Sequence, residues 1–241
     1  LGWYAKFFVA GKIFIAQSVF LGMPLLLVGG LVWAVRKSWL NRWATVAALV
    51  PLLVALGISF PLLYSGNLAS LPGRLFAIAF GADVLLLALV VLHPPLRRWE
   101  SVGGALVFAL LSLWTVGKLS GNLLYWAFGL YFAFAVLHTF FPVVLRRRHP
   151  LDTTPAPVWT QFFPALALLL LLLPILREIA VPGVFWLAVL AVDALAVVFA
   201  VVAGAVAGLV AVLLLTLAVA ALWIAGATVQ EVHLSGGLFV I

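Results

Sequence analysis

A run of about 20 mostly apolar residues is long enough to cross a hydrocarbon core of roughly 30 Å as an α-helix, and this chain carries such runs one after another. The clearest pair lies between Leu75 and Thr115, where LFAIAFGADVLLLALVVLH and VGGALVFALLSLWT flank the short basic turn PPLRRWES. In lipid every backbone N–H and C=O must be bonded within its own segment, which leaves helices as the way to build with such runs. The expected fold is therefore all-α, a polytopic transmembrane bundle of about eight helices arranged as repeated helical hairpins.

In chain order, the aromatic and lysine-containing stretch Leu1 to Lys12 suits a headgroup region. Ile13 to Val35 is the first span, Arg36 to Arg42 a basic turn, and Trp43 to Tyr64 the second span, with Pro51 and Pro61 as expected kinks. The polar turn Ser65 to Arg74 leads to the central pair, and Lys118 to Asn122 leads to an aromatic-rich fifth span, Leu123 to Leu145. Arg146 to Thr160 is the longest connection, Gln161 to Leu176 the sixth span, and Arg177 to Gly183 turns the chain. Val184 to Ala227 is about 44 residues, twice a membrane thickness, so it divides into two spans turning near Gly204 to Gly208. The hairpins are thus 13–64, 75–116, 123–176 and 184–227 within one integral membrane domain over 1–241, and 228–241 opens a further unit.

Composition agrees with this reading. Two thirds of the residues are apolar (67%), 8% are charged, and the mean hydropathy is +1.34, values outside the range of soluble domains. The net charge of +7 sits in short turns between apolar runs, which the positive-inside rule explains, so nucleic acid is not an expected partner. Without cysteine the chain has no disulfide and no thiolate nucleophile or metal ligand. There is no HExxH, no G-x-S-x-G and no glycine-rich phosphate loop; no metal, cofactor or catalytic residue is expected.

Internal repetition is the most specific signal. SGNL occurs at Ser65 and again at Ser120, 55 residues later; Asp83 and Asp193 lie 110 apart, twice that interval; and His138 lies 55 after Asp83. Such self-similarity points to serial hairpins. TVQEVHLSGGL from Thr228 resembles TVGKLSGNL from Thr115, and the chain starts at Leu1 without methionine, so a longer protein is expected, with further hairpins of the same chain as partners beside the lipid bilayer. The turns inside hairpins hold Arg36, Lys37, Arg42, Arg97, Arg98, Arg146, Arg147 and Arg148, against Lys6, Lys12, Arg74, Lys118 and Arg177 elsewhere. The eight should face the cytoplasm, or touch lipid headgroups, with the ends of the chain outside.

Serial hairpins ending in tight Arg/Trp turns, as in LVWAVRKSWLNRWATVAALV and LVVLHPPLRRWESVGGALV, together with the helix ending LYFAFAVLHTFFPVVLRRR, resemble the large bacterial predicted membrane proteins grouped under domain of unknown function 2339. The resemblance implies a long polytopic protein of the bacterial inner membrane. It brings no activity to any residue.

The residues able to carry chemistry are the polar ones inside spans. A carboxylate at membrane depth costs at least about 2.5 to 3.5 kcal/mol, so Asp83 and Asp193 need a partner, a proton or water. They could line a polar path for a proton or cation, with His138 as a relay; the plainer reading, which is favoured, is that each is satisfied by a neighbouring Ser, Thr or carbonyl and helps helices recognise one another. The SGNL turns read as helix N-caps, Gly204 and Gly208 as either a small-xxx-small contact or a hairpin turn, and Glu100 and Asp152, beside basic turns, as solvated. Three functions follow in order of preference: a non-catalytic structural or envelope-related membrane protein, a proton- or cation-coupled transporter or channel using Asp83 and Asp193, and an intramembrane enzyme acting on lipid or glycan.

Overall fold

The structure, a computed structural model, describes residues 13–37, 42–64, 71–93, 96–149, 158–176 and 184–226. Among them the fold is all-helical, as expected, with eight α-helices and no strand: α1 (Ile13–Arg36), α2 (Arg42–Leu62), α3 (Pro72–Leu92), α4 (Arg98–Lys118), α5 (Leu124–Arg148), α6 (Phe163–Leu176), α7 (Val184–Ala203) and α8 (Val206–Gly226). Short 3₁₀ turns, Gly121–Leu123 and Val158–Phe162, precede α5 and α6. The amino-terminal segment, the first SGNL turn, Asp152, Arg177 and the tail from Thr228 lie outside the described residues, as do the side chains of Arg36 and Arg42.

Among the described residues five helices are long and apolar enough to cross a membrane: α3, α4, α5 with its preceding 3₁₀ turn, α7 and α8. The described apolar stretches of the other three are shorter: Leu21–Ala34, Val46–Leu62 and Trp159–Leu173. The expected sixth span is the shortest helix, since α6 has 14 residues and rises about 21 Å at 1.5 Å per residue; Pro164 fits near its start, where a missing N–H costs nothing.

The helices are apolar all round and not amphipathic. Leu52, Leu56, Phe76, Leu86, Tyr131 and Phe134 are fully buried, while Leu26, Val201 and Leu217 are mostly exposed. A helix that is hydrophobic on every side suits a bundle packed in an apolar solvent.

The chain divides between Trp114 and Thr115, within α4, into two compact units. In the first, α3 packs on α1 and α2. Gly81 lets α1 come close, since a Cβ there would lie 2.9 Å from Leu21 Cδ2. Phe76 of α3 meets Trp114 of α4 edge to face, with ring centres 5.6 Å apart. In the second, α6 packs on α5, α7 and α8, and α7 on α5 and α8. An aromatic chain ties α5 to α7 and α8: Phe128 to Phe185 (5.9 Å), Phe185 to Trp186 (5.2 Å) and Trp186 to Trp223 (5.1 Å).

Of the two readings of Gly204 and Gly208, the hairpin turn is the one found, and the small-xxx-small pattern does not form because Gly204 lies outside the helices. Gly204, at φ +71°, forms the turn between α7 and α8, a conformation that lacks steric penalty only for glycine. Its N–H donates to Ala200 O at 2.9 Å, closing the end of α7. Gly208 meets the 3₁₀ turn before α6: its backbone lies so close to the Gln161 carbonyl that a Cβ would collide with it.

Candidate functional site

Asp83 stands near the middle of α3 and is fully buried. The face opposite is opened by Gly103 of α4: a Cβ at that position would lie 3.0 Å from Asp83 Oδ1 and 2.7 Å from Leu86 Cδ2. Only the missing side chain lets the helix backbone approach the carboxyl group so closely. One turn earlier on the same face of α4 comes Glu100, because residues three apart on a helix are neighbours.

Glu100 overturns the expectation that it is solvated: it is 0% exposed. The reason is local. Its N–H donates to Arg97 O at 3.2 Å, so the chain turns into α4 at Arg97 and the first helical turn rotates Glu100 inward. Neither of its carboxylate oxygens has a hydrogen-bond partner among the described residues, and the two residues preceding Leu96 are Pro94 and Pro95, which have no donor to offer. The charges acting on it are those of Arg97 and Asp83. Asp83 and Glu100 are fully buried and Arg97 is half-buried.

Asp193, on α7, has a different setting. It is half-buried, and Thr216 of α8 donates its hydroxyl to Asp193 Oδ1 at 2.6 Å. This is the plainer of the two expected roles, a polar bond between neighbouring helices. His138 of α5 is fully buried, its ring 4.9 Å from that of Phe163. Asp83 belongs to the first unit, and Asp193 and His138 to the second.

Of the turn cations, Lys37, Arg98, Arg146, Arg147 and Arg148 are exposed. The last three close α5, where positive charge complements the carboxyl end of the helix dipole. Ser120 does not cap a helix as its turn suggested. Its hydroxyl donates to the Asn122 side chain at 2.5 Å and makes no capping bond; the turn is closed by Leu123 N–H on Ser120 O at 2.9 Å. Among the described residues no group of three or more His, Asp or Glu side chains is placed to hold a metal ion.

Glu100 is the residue that sequence reasoning missed. Its neighbours Arg97, Arg98 and Trp99 look like an interfacial belt, and the signal against that reading is the Gly103–Gly104 pair one turn on, which marks the inward face of α4. No protein-family model, curated protein or solved structure matches the chain.

Proposed function

We propose that this is a multi-pass integral membrane protein of serial helical hairpins in a bacterial inner membrane, with a non-catalytic structural or envelope-related role. The observation that carries this reading is how the helices use their polar side chains. Thr216 bonds Asp193, Thr115 bonds Tyr131 at 2.5 Å, and Ser59 and Ser112 donate to carbonyls one turn back in their own helices. The two bonds between helices, Thr216 to Asp193 and Thr115 to Tyr131, are of a kind that contributes about 0.6 to 2 kcal/mol each to helix association in lipid, while the two serines satisfy their hydroxyls within their own helices. The outward Leu26, Val201 and Leu217 form the kind of apolar exterior that acyl chains cover.

In this reading all eight helices span, α1, α2 and α6 among them, with the Arg36–Arg42, Arg97–Arg98 and Arg146–Arg148 turns cytoplasmic. The partners are lipid and further hairpins of a longer chain. Kinship with the proteins of domain of unknown function 2339 belongs to the same proposal and rests on the Arg/Trp turns.

The test is a flux assay on the purified chain in vesicles containing a trapped pH-sensitive dye, under an imposed membrane potential. A scaffold leaves the proton and cation leak at the level of protein-free vesicles. A flux that Asp83→Asn abolishes would overturn the reading in favour of a proton- or cation-coupled transporter or channel, the alternative supported by the charged group of Asp83, Arg97 and Glu100. Orientation is checked separately by labelling single cysteines placed at Lys37 and Arg147 in this cysteine-free chain.

A further inference from the structure

Asp193 is the tenth of the 20 residues of α7, so it stands at the middle of a helix about 30 Å long, as far from either headgroup layer as a side chain can be. Thr216 bonds its Oδ1. The other oxygen, Oδ2, accepts no hydrogen bond from a described residue and is not enclosed by the fold. The helix surface around it shows which way it faces. Val189 and Ala196, one turn away on one side, are buried, whereas Leu190 and Val197, one turn away on the other, are exposed. Asp193 therefore sits at the edge of an outward face made by Leu187, Leu190, Ala194, Val197 and Val201, whose alternate steps of three and four are those of a seam between two helices. At the centre of that face Ala194 leaves the backbone open to close approach. The chain itself covers little of this region: 39% of the α7 span and 22% of the α8 span are buried, against 50% or more in α3, α4 and α5.

A polar oxygen at that depth without a partner is costly, and acyl chains have no donor to give it. Whatever covers the face must bring a polar atom to the centre of the bilayer. Among the described residues at mid-span, Asp83, His138, Thr139 and Thr216 are themselves buried and Ser112 is bonded to its own helix, which leaves Asp193 as the polar group this chain presents outward there. A second copy inserted the same way holds its own Asp193 at the same depth, and a two-fold axis along the membrane normal brings the two residues face to face. A carboxylic acid is both donor and acceptor, so such a pair is self-complementary once protons replace the charges, as happens to carboxyl groups taken out of water. Of the helices packed on α7, α6 and α8 have no ionisable side chain, and α5 has Tyr125, Tyr131, His138 and the three arginines at its end; no charge from them acts on Asp193. We propose that the α7 face beside Asp193 is the interface of a homodimer in the membrane, in which the two Asp193 carboxyl groups hydrogen-bond each other across the two-fold axis while each keeps its bond to Thr216. The inference rests on the membrane-spanning reading above and holds for a scaffold and a transporter alike.

The test is fluorescence energy transfer between full chains labelled at the amino terminus with donor or acceptor, in phospholipid vesicles diluted stepwise with lipid, together with disulfide crosslinking of single cysteines in the same vesicles. The unsubstituted chain should show transfer that falls on dilution as a dimer's does, and Ala194→Cys should crosslink between copies while Val84→Cys, exposed on α3, does not. Asp193→Leu should weaken association about tenfold, the size of two interhelical hydrogen bonds in lipid. Asp193→Asn, whose amide also donates and accepts, should keep it, and so should Thr216→Val, which removes the bond within the chain and not those between copies. The dimer is overturned if the unsubstituted chain stays in the vesicles and shows no transfer, a measurement that needs no variant to fold. It is also overturned if Asp193→Leu associates normally at normal helix content, if Thr216→Val is as damaging as Asp193→Leu, or if Val84→Cys crosslinks as readily as Ala194→Cys. A chain that alkaline carbonate strips from the vesicles overturns the membrane-spanning reading, and the dimer with it.

Discussion

Asp83 and Asp193 lie at corresponding positions of a repeated pattern, yet their surroundings share nothing. Asp193 is half-buried and held by one hydroxyl from the next helix, Thr216. Asp83 is fully buried, faces a helix backbone laid bare at Gly103, and acts electrostatically on Glu100, one turn earlier on that helix. A repeat fixes where a polar residue falls along a helix; the facing helix decides what that residue does. A threonine opposite makes the acid a helix–helix bond, and a glycine with a glutamate one turn away makes it part of a charged group.

The largest test of this contrast compares the same small change in the two units. Gly208→Ala sets a methyl against the Gln161 backbone carbonyl, which no rotamer change relieves, and should cost about 3 kcal/mol in denaturant unfolding from mixed micelles, the upper end for overpacking. Gly103→Ala meets the movable end of Leu86 and one oxygen of Asp83, and should cost about 1 kcal/mol, being partly offset by alanine's helix propensity. Equal losses would mean that the carboxyl at Asp83 is as unyielding as backbone.

Arg97→Gln comes next. It removes the guanidinium that acts on the buried Glu100, and because Arg97 is half-buried the loss should be about 2 kcal/mol at pH 7, below the range for fully buried pairs. Acidifying the same variant should restore part of that stability, because a proton on Glu100 then replaces the lost positive charge; a loss that does not change with pH would separate Arg97 from Glu100. In the other unit, a double-mutant cycle of Asp193→Asn with Thr216→Val should give a coupling of about 0.6 kcal/mol, the usual size of an interhelical hydrogen bond in a membrane protein. Coupling several times larger would make Asp193 a charged site like Asp83. The smallest effect is expected for Ser120→Ala, under about 0.5 kcal/mol by the same unfolding measurement, since the Ser120 hydroxyl makes no capping bond.

The succession of helices could be read from the chain because apolar length and basic turns are one-dimensional signals; eight α-helices follow one another among the described residues. The break in the long apolar run was legible for the same reason: only glycine turns there without strain, and Gly204 does so. Which faces meet was not legible. Helices that are apolar on every side carry no stripe to say which side is inward, so the burial of Glu100 and the partnership of Thr216 with Asp193 had no periodic signature. Ser120 was misread because Ser-Gly-Asn matches both a helix cap and a side-chain bond to Asn122, and residue types alone do not choose between them.

The link between α7 and α8 is two residues long, Gly204 and Ala205, and uncharged. From Val184 to Gly226 the single ionisable side chain is Asp193, so neither helix of this pair contains the basic residues by which a nascent chain is oriented during insertion. Two apolar helices joined so tightly offer the translocation machinery no stretch of polar chain to hold between them. In the membrane reading proposed above they enter the bilayer together, as a folded pin, and take their direction from residues that precede Val184 or follow Gly226.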